Sequence, residues 1–456
     1  MLKMMVRFFL YYVLLSSLAH ALELDEARHL WGRTGYANTE YLLENYQNLS
    51  KSEAIDYILE SATYTPTVTP QLTFDDTGYK SIKFSKSDKK TKRAFQENTV
   101  NPDKKRTSEW WHEELLNTNN QFQEKMTIFW HSHFTSDVGK VPPPFMFSQN
   151  QLFRKHALGG FKEMTYDVFN NPAIHWYLDN QKNKKGKLNE NLAREMMELY
   201  TMGEGDHYNE DDVKSIARAI SGVDWDYDNQ KVIFKPAKSG AGFNTLLGDF
   251  KYYDLDAVIE KLLEQDITAE FITRKLWAEF ISYDVNEERL KEFAKVFKDS
   301  DYDLKTVISE ILNSKEFWDE TNRNALVKSP YDMIASANLF LDYKSVEPRK
   351  FSWWLKGSGR RLFRPPDVKG WRGGLNWINA DLILARRKLM NKVGKEIFKS
   401  YQQEFNDQAI RETNKKFDTH LRQLFAINEK LSSNIAKKGL KKKAKYVFSH
   451  DNFNFK

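Results

Sequence analysis

The sequence has no cysteine among its 456 residues. Disulfide bonds, thiolate nucleophiles and zinc–thiolate sites are therefore excluded, and stability has to come from packing. After the N-terminal segment, no stretch approaches the roughly 20 apolar residues of a membrane-spanning helix. Stripes of lysine and arginine interleaved with aromatic residues are missing too, which argues against nucleic acid as a partner. H-E-x-x-H, Walker and G-x-S-x-G signatures do not occur, so no familiar motif indicates a reaction.

Apolar residues make up 41% of the chain, enough for a large core, and they recur mainly at helical spacing. This predicts a mainly α fold: one large multi-helix domain over residues 22–395, interrupted by a small β-hairpin that includes residues 231–235. Residues 85–105 are dense in lysine, aspartate and asparagine and are expected to form a mobile surface loop. Residues 396–456 are a polar, helical and then basic C-terminal extension, whose tail is either solvated and frayed or in contact with an anionic polymer or lipid headgroups.

The N-terminus has the composition of a signal peptide over residues 1–21. Lys3 and Arg7 form a basic region, and residues 8–18 are an apolar run too short to span a bilayer. Ala19 and Ala21 supply the small residues of a cleavage site. We therefore expect cleavage near Ala21 and a mature chain in the periplasm or secreted, the alternative being an uncleaved N-terminal anchor.

The helical spacing of the apolar residues in 188–203 predicts a helix of about three turns, with an apolar side and an unusual polar side. Glu195 and Glu198 are three positions apart, so their carboxylates lie on adjoining turns and can divide acid and base roles or hold a metal. Arg194 is four positions from Glu198 and can pair with it. The alternative interpretation is a solvated polar face with an ordinary ion pair.

His131 and His133 form a second candidate site, near the end of a predicted helix that begins at Phe122. On a helix, two residues two positions apart diverge, so only one of them can face a given site. His133 is expected on the apolar side with Phe122 and Met126, and His131 on the other. A histidine on an apolar face can equally be a hydrogen-bonded core residue.

Residues 360–377 read R-R-L-F-R-P-P-D-V-K-G-W-R-G-G-L-N-W, in which two prolines and three glycines forbid a helix. So many glycines and tryptophans in one loop indicate tight packing over another part of the molecule. The loop forms part of a binding surface or, alternatively, is a core plug that tethers the last helix.

Five motifs resemble a known family: F-W-H-S-H-F at 129–134, Y-L-D-N-x-x-N at 177–183, N-E-N-L-A-R-E-M-M-E-L at 189–199, Y-N-E-D-D-V at 208–213 and P-P-D-V-K-G-W-x-G-G at 365–374. Together and in this order they look like the bacterial family called domain of unknown function 1800. The resemblance runs from about residue 29 to 390 and leaves the basic tail outside. It implies an exported, mostly helical protein with no established activity. It also suggests a sulfatase-like partner protein, because members are often encoded beside one.

The first functional hypothesis is a metal- or carboxylate-dependent hydrolase acting on an envelope or extracellular glycan. A divalent metal would be held by His131, His133 and Glu190, with one position left open for water. Catalysis would fall to Glu195, Glu198 and Arg194. Hydrogen bonds and stacking to the substrate would come from a further set of side chains: Asn180, Asn183, Asn191, Asp367 and Trp371.

The second hypothesis is a non-catalytic envelope protein, a binding or scaffold protein that partners the sulfatase-like protein. The same polar groups would then form a buried network that fixes helix positions, with Arg194 neutralising the glutamates. The tryptophans of residues 371–377 would contribute a binding surface. The sequence leaves both hypotheses open, and with them the identity of any metal.

Overall fold

The computed structural model describes residues 21–36, 45–62, 70, 72, 88–226, 231–340, 355, 360–371 and 373–404. Nearly all of the expected signal peptide and most of the C-terminal extension, residues 405–456, lie outside the described residues. None of the helices in the described part of the chain combines the length and the apolar character that crossing a bilayer requires.

Helices dominate the fold, as predicted. The first half of the described chain contains α1 Leu24–Thr34, α2 Lys51–Ser61, α3 Lys89–Phe95, α4 Asn101–Asn117, α5 Gln121–His133, α6 Pro143–Lys155, α7 Phe161–Phe169, α8 Pro172–Tyr177, α9 Asn191–Glu198 and α10 Glu210–Ala219. The second half contains α11 Leu255–Leu263, α12 Asp266–Phe280, α13 Glu287–Asp299, α14 Leu304–Asn313, α15 Lys315–Trp318, α16 Pro330–Phe340 and α17 Ala380–Glu404. Single 3-10 turns lie at Tyr46–Asn48, Asn180–Lys182, Pro236–Lys238, Glu320–Asn322 and Gly374–Trp377.

Two small antiparallel sheets interrupt the helices between α10 and α11. Strand β1 (Val223–Asp226) pairs with β2 (Lys231–Phe234), and β3 (Gly242–Leu246) pairs with β4 (Asp249–Tyr253). The predicted strand at residues 231–235 is confirmed, and the second pair adds to the expected hairpin. A short hairpin has too little apolar surface to be stable alone, so both depend on the helices around them.

Helix α5 lies between two hydrophobic clusters. The larger cluster includes Met126 and Trp130 of α5 and side chains of α1, α2, α7 and α9–α14. The smaller cluster includes Ile128 of α5 together with side chains of α4, α6, α16, α17 and the loop of residues 360–371. A helix that is buried on every side belongs at the centre of a fold. The polar residues of α5 are therefore buried as well, and each needs a partner.

Two local expectations need correction. Most of the loop expected at 85–105 is helical, because α3 continues through a π-turn at Gln96–Val100 into α4. The helix expected at 188–203 is shorter, ending at Glu198, after which the amides of Met202 and Gly203 bond the Met197 carbonyl. Helix α17 runs to Glu404 and so includes the first residues of the extension, which was expected to start as a helix.

A buried ion pair joins α4, α5 and α6. The Glu124 carboxylate accepts hydrogen bonds from both terminal nitrogens of Arg154, one of them at 2.9 Å from Nη2, and from Trp111 Nε1 at 2.6 Å. Arg154 Nε donates to Asn150 Oδ1 at 2.9 Å. The side chains of Glu124 and Arg154 are 0% and 2% exposed, so the arrangement is isolated from water.

We expect Arg154→Met to lower the free energy of unfolding by about 3–5 kcal/mol, because it leaves the Glu124 carboxylate buried without its cation. Adding Glu124→Leu should recover much of this loss, since the orphaned charge is then gone. Urea denaturation followed by far-UV circular dichroism measures both. Glu210→Gln, at an exposed ion pair, is the matched control and should leave stability unchanged within error. Equal losses for Arg154→Met and the double variant would contradict this account.

Candidate functional site

The two histidines leave the last turn of α5 in different directions, as predicted. The His131 ring stacks on Trp111, with ring centroids 5.0 Å apart, and meets the edge of Trp371 at 5.6 Å. The His133 ring lies on the other side, 6.0 Å from the ring of Tyr200. Both side chains are buried.

The structure does not assemble the metal site predicted from His131, His133 and Glu190. No group of three or more histidine, aspartate or glutamate side chains within the described ranges is arranged to hold a metal ion. His131 is enclosed by aromatic rings, burial lowers its pKa to about 3, and neither ring nitrogen has a hydrogen-bond partner in another described residue. Glu190 lies at the start of α9, where its carboxylate is 3.4 Å from Arg194 Nη2.

The turn between the histidines is covered by the loop of residues 360–377. The Trp371 amide donates to Ser132 Oγ at 3.1 Å. Gly370 has φ +81°, and a Cβ added to it would lie 2.1 Å from the Ser132 carbonyl oxygen. Only glycine allows this approach, because a side chain would clash and the left-handed conformation would be strained. The motifs F-W-H-S-H-F and P-P-D-V-K-G-W are therefore in direct contact.

A cavity of about 460 Å³ lies where α5, α12 and this loop meet. Such a volume is in the range of about 300–1,000 Å³ typical of small-molecule sites. Its wall combines aromatic rings with charged and polar groups, among them Ser132, His133, Lys275, Glu279, Tyr283, Arg360, Lys369, Trp371 and Trp377. It is the strongest candidate binding site in the described part of the molecule.

Lys275, on α12, reaches into this wall and bonds to His133. His133 Nε2 is 3.0 Å from the Tyr200 carbonyl oxygen, which can only accept, so Nε2 carries the ring hydrogen. His133 Nδ1 is then the acceptor for Lys275 Nζ at 2.9 Å. Burial lowers the pKa of Lys275 to about 7, and no ion pair joins this side chain to a described carboxylate. At neutral pH a large fraction of Lys275 is the free amine.

Arg360 is the second distinctive cation of the cavity. Its guanidinium carbon lies 5.4 Å from the ring centroid of Tyr331, 5.6 Å from that of Trp371 and 5.2 Å from that of Trp377. These rings attract the cation without neutralising it. Its Nε is buried without a hydrogen-bond partner, and no described carboxylate forms an ion pair with it.

Glu195 and Glu198 project from the short helix α9. Burial first, and then the neighbouring Glu198 carboxylate, raise the pKa of Glu195 to about 7, although Lys369 and Arg194 act in the opposite direction. Lys369 lines the cavity and pairs with Glu204 at 2.6 Å. Lys369 therefore links the two regions: its side chain lines the cavity, and its positive charge acts to lower the pKa of Glu195.

Arg194 does not form the expected ion pair with Glu198. Its terminal nitrogens bind the two carboxylate oxygens of Glu210 on α10, at 2.9 and 2.8 Å, and Nη2 approaches Glu190. The guanidinium is thus engaged in holding α9 against α10. Asn191, at the first turn of α9, is exposed, and its backbone N–H donates to Asn189 Oδ1.

Asn180 and Asn183 are fully buried and their side-chain amides bind protein groups. The Asn180 amide nitrogen donates to the Ile220 carbonyl at 3.0 Å and lies 2.9 Å from His175 Nδ1. The Asn183 amide nitrogen donates to the Ala217 carbonyl at 2.7 Å. Both side chains hold the loop before α9 against the end of α10. They are buried and bound to protein groups, so the structure does not place them for the predicted contact with substrate.

Of the predicted substrate-binding residues, Trp371 lines the cavity, whereas Asp367 shapes the loop, its carboxylate accepting from the Lys369 amide at 2.9 Å. The sequence analysis missed Lys275, Arg360 and Lys369 as site residues. Arg360 lies in the loop of residues 360–377, which the sequence had singled out, whereas Lys275 lies on a different helix, α12. No periodicity connects these segments, so their meeting could not be inferred.

The site belongs to a mainly helical protein. Its cavity has a wall of tryptophans and other side chains, among them Arg360 and Lys275, two basic residues with no ion pair to a carboxylate of the described residues. The chain belongs to the family described as Protein of unknown function (DUF1800), whose model matches residues 29–451. The match extends beyond residue 390, where the motif resemblance ended, and takes in most of the basic tail. No curated protein matches the chain, and no solved structure matches it either.

We expect Gly370→Ala to lower the free energy of unfolding by about 3 kcal/mol or more, because a clash with the Ser132 carbonyl adds to left-handed strain. Gly186→Ala is a matched control: Gly186 also has φ +81°, but an added Cβ would meet nothing within 4 Å. This control should cost only about 1–2 kcal/mol. Chemical denaturation of the three proteins compares these values. If both variants lose the same stability, the contact between loop and turn is not as tight as described.

Proposed function

We propose that the protein binds an acidic glycan outside the cytoplasm and that the cavity between α5, α12 and the loop of residues 360–377 is the recognition site. The observation that carries this proposal is Arg360, a cation placed among aromatic rings with no carboxylate partner among the described residues. A sulfate or carboxylate group would supply the missing counter-ion, with the planar fork geometry that arginine favours.

The aromatic part of the wall supports a sugar as the ligand. Trp371 and Trp377 provide flat apolar faces with polar handles beside them, and the C–H faces of a pyranose ring pack well against such surfaces. Hydroxyl groups would find donors and acceptors in Ser132, Glu279 and Asn376. A volume of about 460 Å³ suits one or two sugar units.

The proposal includes the expected export of the chain and a sulfatase-like partner protein. A sulfated glycan would be a ligand for both proteins: one would hold the polymer through its anionic groups, and the other would remove sulfate. The basic residues of the C-terminal tail would add affinity for the same anionic polymer by charge alone.

We expect acidic oligosaccharides to bind at least about tenfold more tightly than neutral ones of the same length, and Arg360→Gln to remove most of that preference. Arg274→Gln is the matched control, because Arg274 is on α12 but forms an exposed pair with Glu287 away from the cavity. Isothermal titration calorimetry with sulfated, uronate and neutral oligosaccharides measures the affinities. Equal affinity for acidic and neutral ligands, or an equal loss in both variants, would rule out this role for Arg360.

A second candidate function, carboxylate-dependent hydrolysis of the glycan, is favoured by the environment of Glu195. With its pKa raised to about 7, the Glu195 carboxyl group retains its proton in about half of the molecules at pH 7 and can act as a general acid. Glu198, on the next turn, would be the second carboxylate. Metal chemistry has no place in this proposal, because the predicted ligand set is not assembled.

Glu195→Gln separates hydrolysis from a structural role. The raised pKa means that the folded state binds this proton more tightly than the unfolded state, so stability falls as pH rises from about 4.5 to 7. Glutamine removes this dependence, so the melting temperature above pH 7 should be equal or higher than that of the wild type. If Glu195 is the acid, release of reducing ends from an acidic glycan should stop in this variant.

Wild-type hydrolysis should decline as pH rises through about 7, as Glu195 loses its proton. Glu198→Gln should stop hydrolysis as well, because it removes the second carboxylate. It should also move the fall in stability with pH to a lower range, because it removes the negative charge that helps to raise the pKa of Glu195. A lower melting temperature in Glu195→Gln, without any loss of hydrolysis, would instead assign Glu195 to a structural network.

A further inference from the structure

We infer that the Lys275 amine forms a covalent imine with an aldehyde or ketone carbonyl that enters the cavity, with His133 as the group that takes and returns the proton. This activity goes beyond binding. It rests on the proposed function only in taking the reducing end of an acidic sugar, or another carbonyl compound with an anionic group, as the natural partner.

The hydrogen bonds around Lys275 Nζ orient the amine. Nζ donates to His133 Nδ1 at 2.9 Å and to the Leu199 carbonyl at 3.2 Å, and it lies 4.5 Å from the ring centroid of Phe271. Two acceptors and an aromatic face hold the nitrogen without supplying a negative charge. Desolvation therefore favours the neutral, nucleophilic form, as in other enzymes that use a lysine amine as a nucleophile.

The other two lysines that line the cavity in the described part of the chain have carboxylate partners. Lys125 Nζ lies 3.6 Å from Asp332 Oδ1, and Lys369 Nζ lies 2.6 Å from Glu204 Oε1. These carboxylates stabilise the ammonium form, which has no lone pair. An ordinary lysine with its pKa near 10.4 is neutral in only about one molecule in 2,500 at pH 7. Lys275 is thus the reactive amine of this wall.

The reaction balances with groups that are present. The Lys275 nitrogen attacks the carbonyl carbon, and one N–H proton passes to His133 Nδ1, which already accepts that hydrogen bond. His133 returns this proton to the carbonyl oxygen, which gives a carbinolamine; the second N–H proton then follows the same route, the C–O bond breaks, and the oxygen leaves as water. The C=N bond forms with the nitrogen lone pair, and no oxidant or reductant is needed. His133 Nε2 stays bonded to the Tyr200 carbonyl throughout, so the ring keeps its orientation.

The charges nearby indicate which carbonyl compounds fit best. Arg360 and Lys275 line the same cavity, so a molecule with an anionic group and a carbonyl group can engage both. A 2-oxo acid, an aldehyde acid or the open-chain form of an acidic sugar has this pairing. A neutral aldehyde should react at the same lysine but with weaker retention.

The experiment is reductive trapping on the full chain at pH 7. Glyoxylate is the anionic aldehyde, propanal the neutral one, and sodium cyanoborohydride reduces any imine to a stable secondary amine. Peptide mass spectrometry then gives the modified fraction at each lysine over time. Lys275 should be labelled at least tenfold faster than Lys125 and Lys369, and the preference for glyoxylate over propanal should shrink in Arg360→Gln.

Variants and a folding check complete the test. Lys275→Met should lose the fast labelling and keep the melting temperature within a few degrees. Lys298→Arg, at an ion pair with Asp266 outside the cavity wall, should leave labelling of Lys275 unchanged. His133→Gln should slow the labelling of Lys275, because glutamine cannot take up the proton. If this variant does not fold, the labelling rates of Lys275, Lys125 and Lys369 in the wild-type protein still test the inference. Labelling of Lys275 no faster than that of Lys125 and Lys369 would overturn the inference.

The outcomes also separate this inference from the proposed function. Fast glyoxylate labelling of Lys275 without affinity for acidic oligosaccharides would retain the imine chemistry and reject the glycan. Calorimetric binding of acidic oligosaccharides without selective labelling of Lys275 would retain the glycan as the ligand and reject the imine chemistry.

Discussion

The candidate site depends on one close contact between two segments more than 200 residues apart in sequence. Gly370 approaches the Ser132 carbonyl so closely that no side chain could be accommodated at that position. The contact joins the end of α5 to the loop of residues 360–377, and it brings Trp371 and Arg360 to the cavity that Lys275 reaches from α12. Glycine is needed here twice over, for the positive φ and for the missing Cβ. A second glycine of the same loop, Gly374, packs on Tyr283 in the same manner.

Much of the local structure could be predicted, because it depends on neighbours in sequence. Helical spacing located most helices, and the divergence of His131 and His133 follows from helix geometry alone. Residues 85–105 show the limit of composition. Charged residues suggested a surface loop, yet lysine and glutamate are good helix formers, and the segment is largely helical.

The site itself was harder to predict, because its chemistry comes from residues that are far apart in sequence. The two histidines looked like metal ligands, but one is enclosed by aromatic rings and the other binds a lysine. Asn180 and Asn183 looked suited to sugar hydroxyls, but they satisfy backbone carbonyls at the end of α10. A sequence shows which side chains can form hydrogen bonds; burial decides whether those bonds go to protein or to a ligand. Lys275 could not be recognised before the fold was known, since its low pKa comes from desolvation by distant segments.

The distribution of charge in the cavity wall explains why chemistry should centre on two of its residues. Buried charges are normally paired, because an isolated one is costly. Lys125 follows that rule through Asp332, and the exposed Lys369 pairs with Glu204. Arg360 is stabilised by aromatic faces, whereas Lys275 lowers its cost of burial by giving up its proton. These two solutions are chemically different: the first leaves a permanent cation that attracts anions, and the second leaves a lone pair that attacks electrophiles. A cavity that contains both is suited to a ligand with an anionic group and an electrophilic carbon.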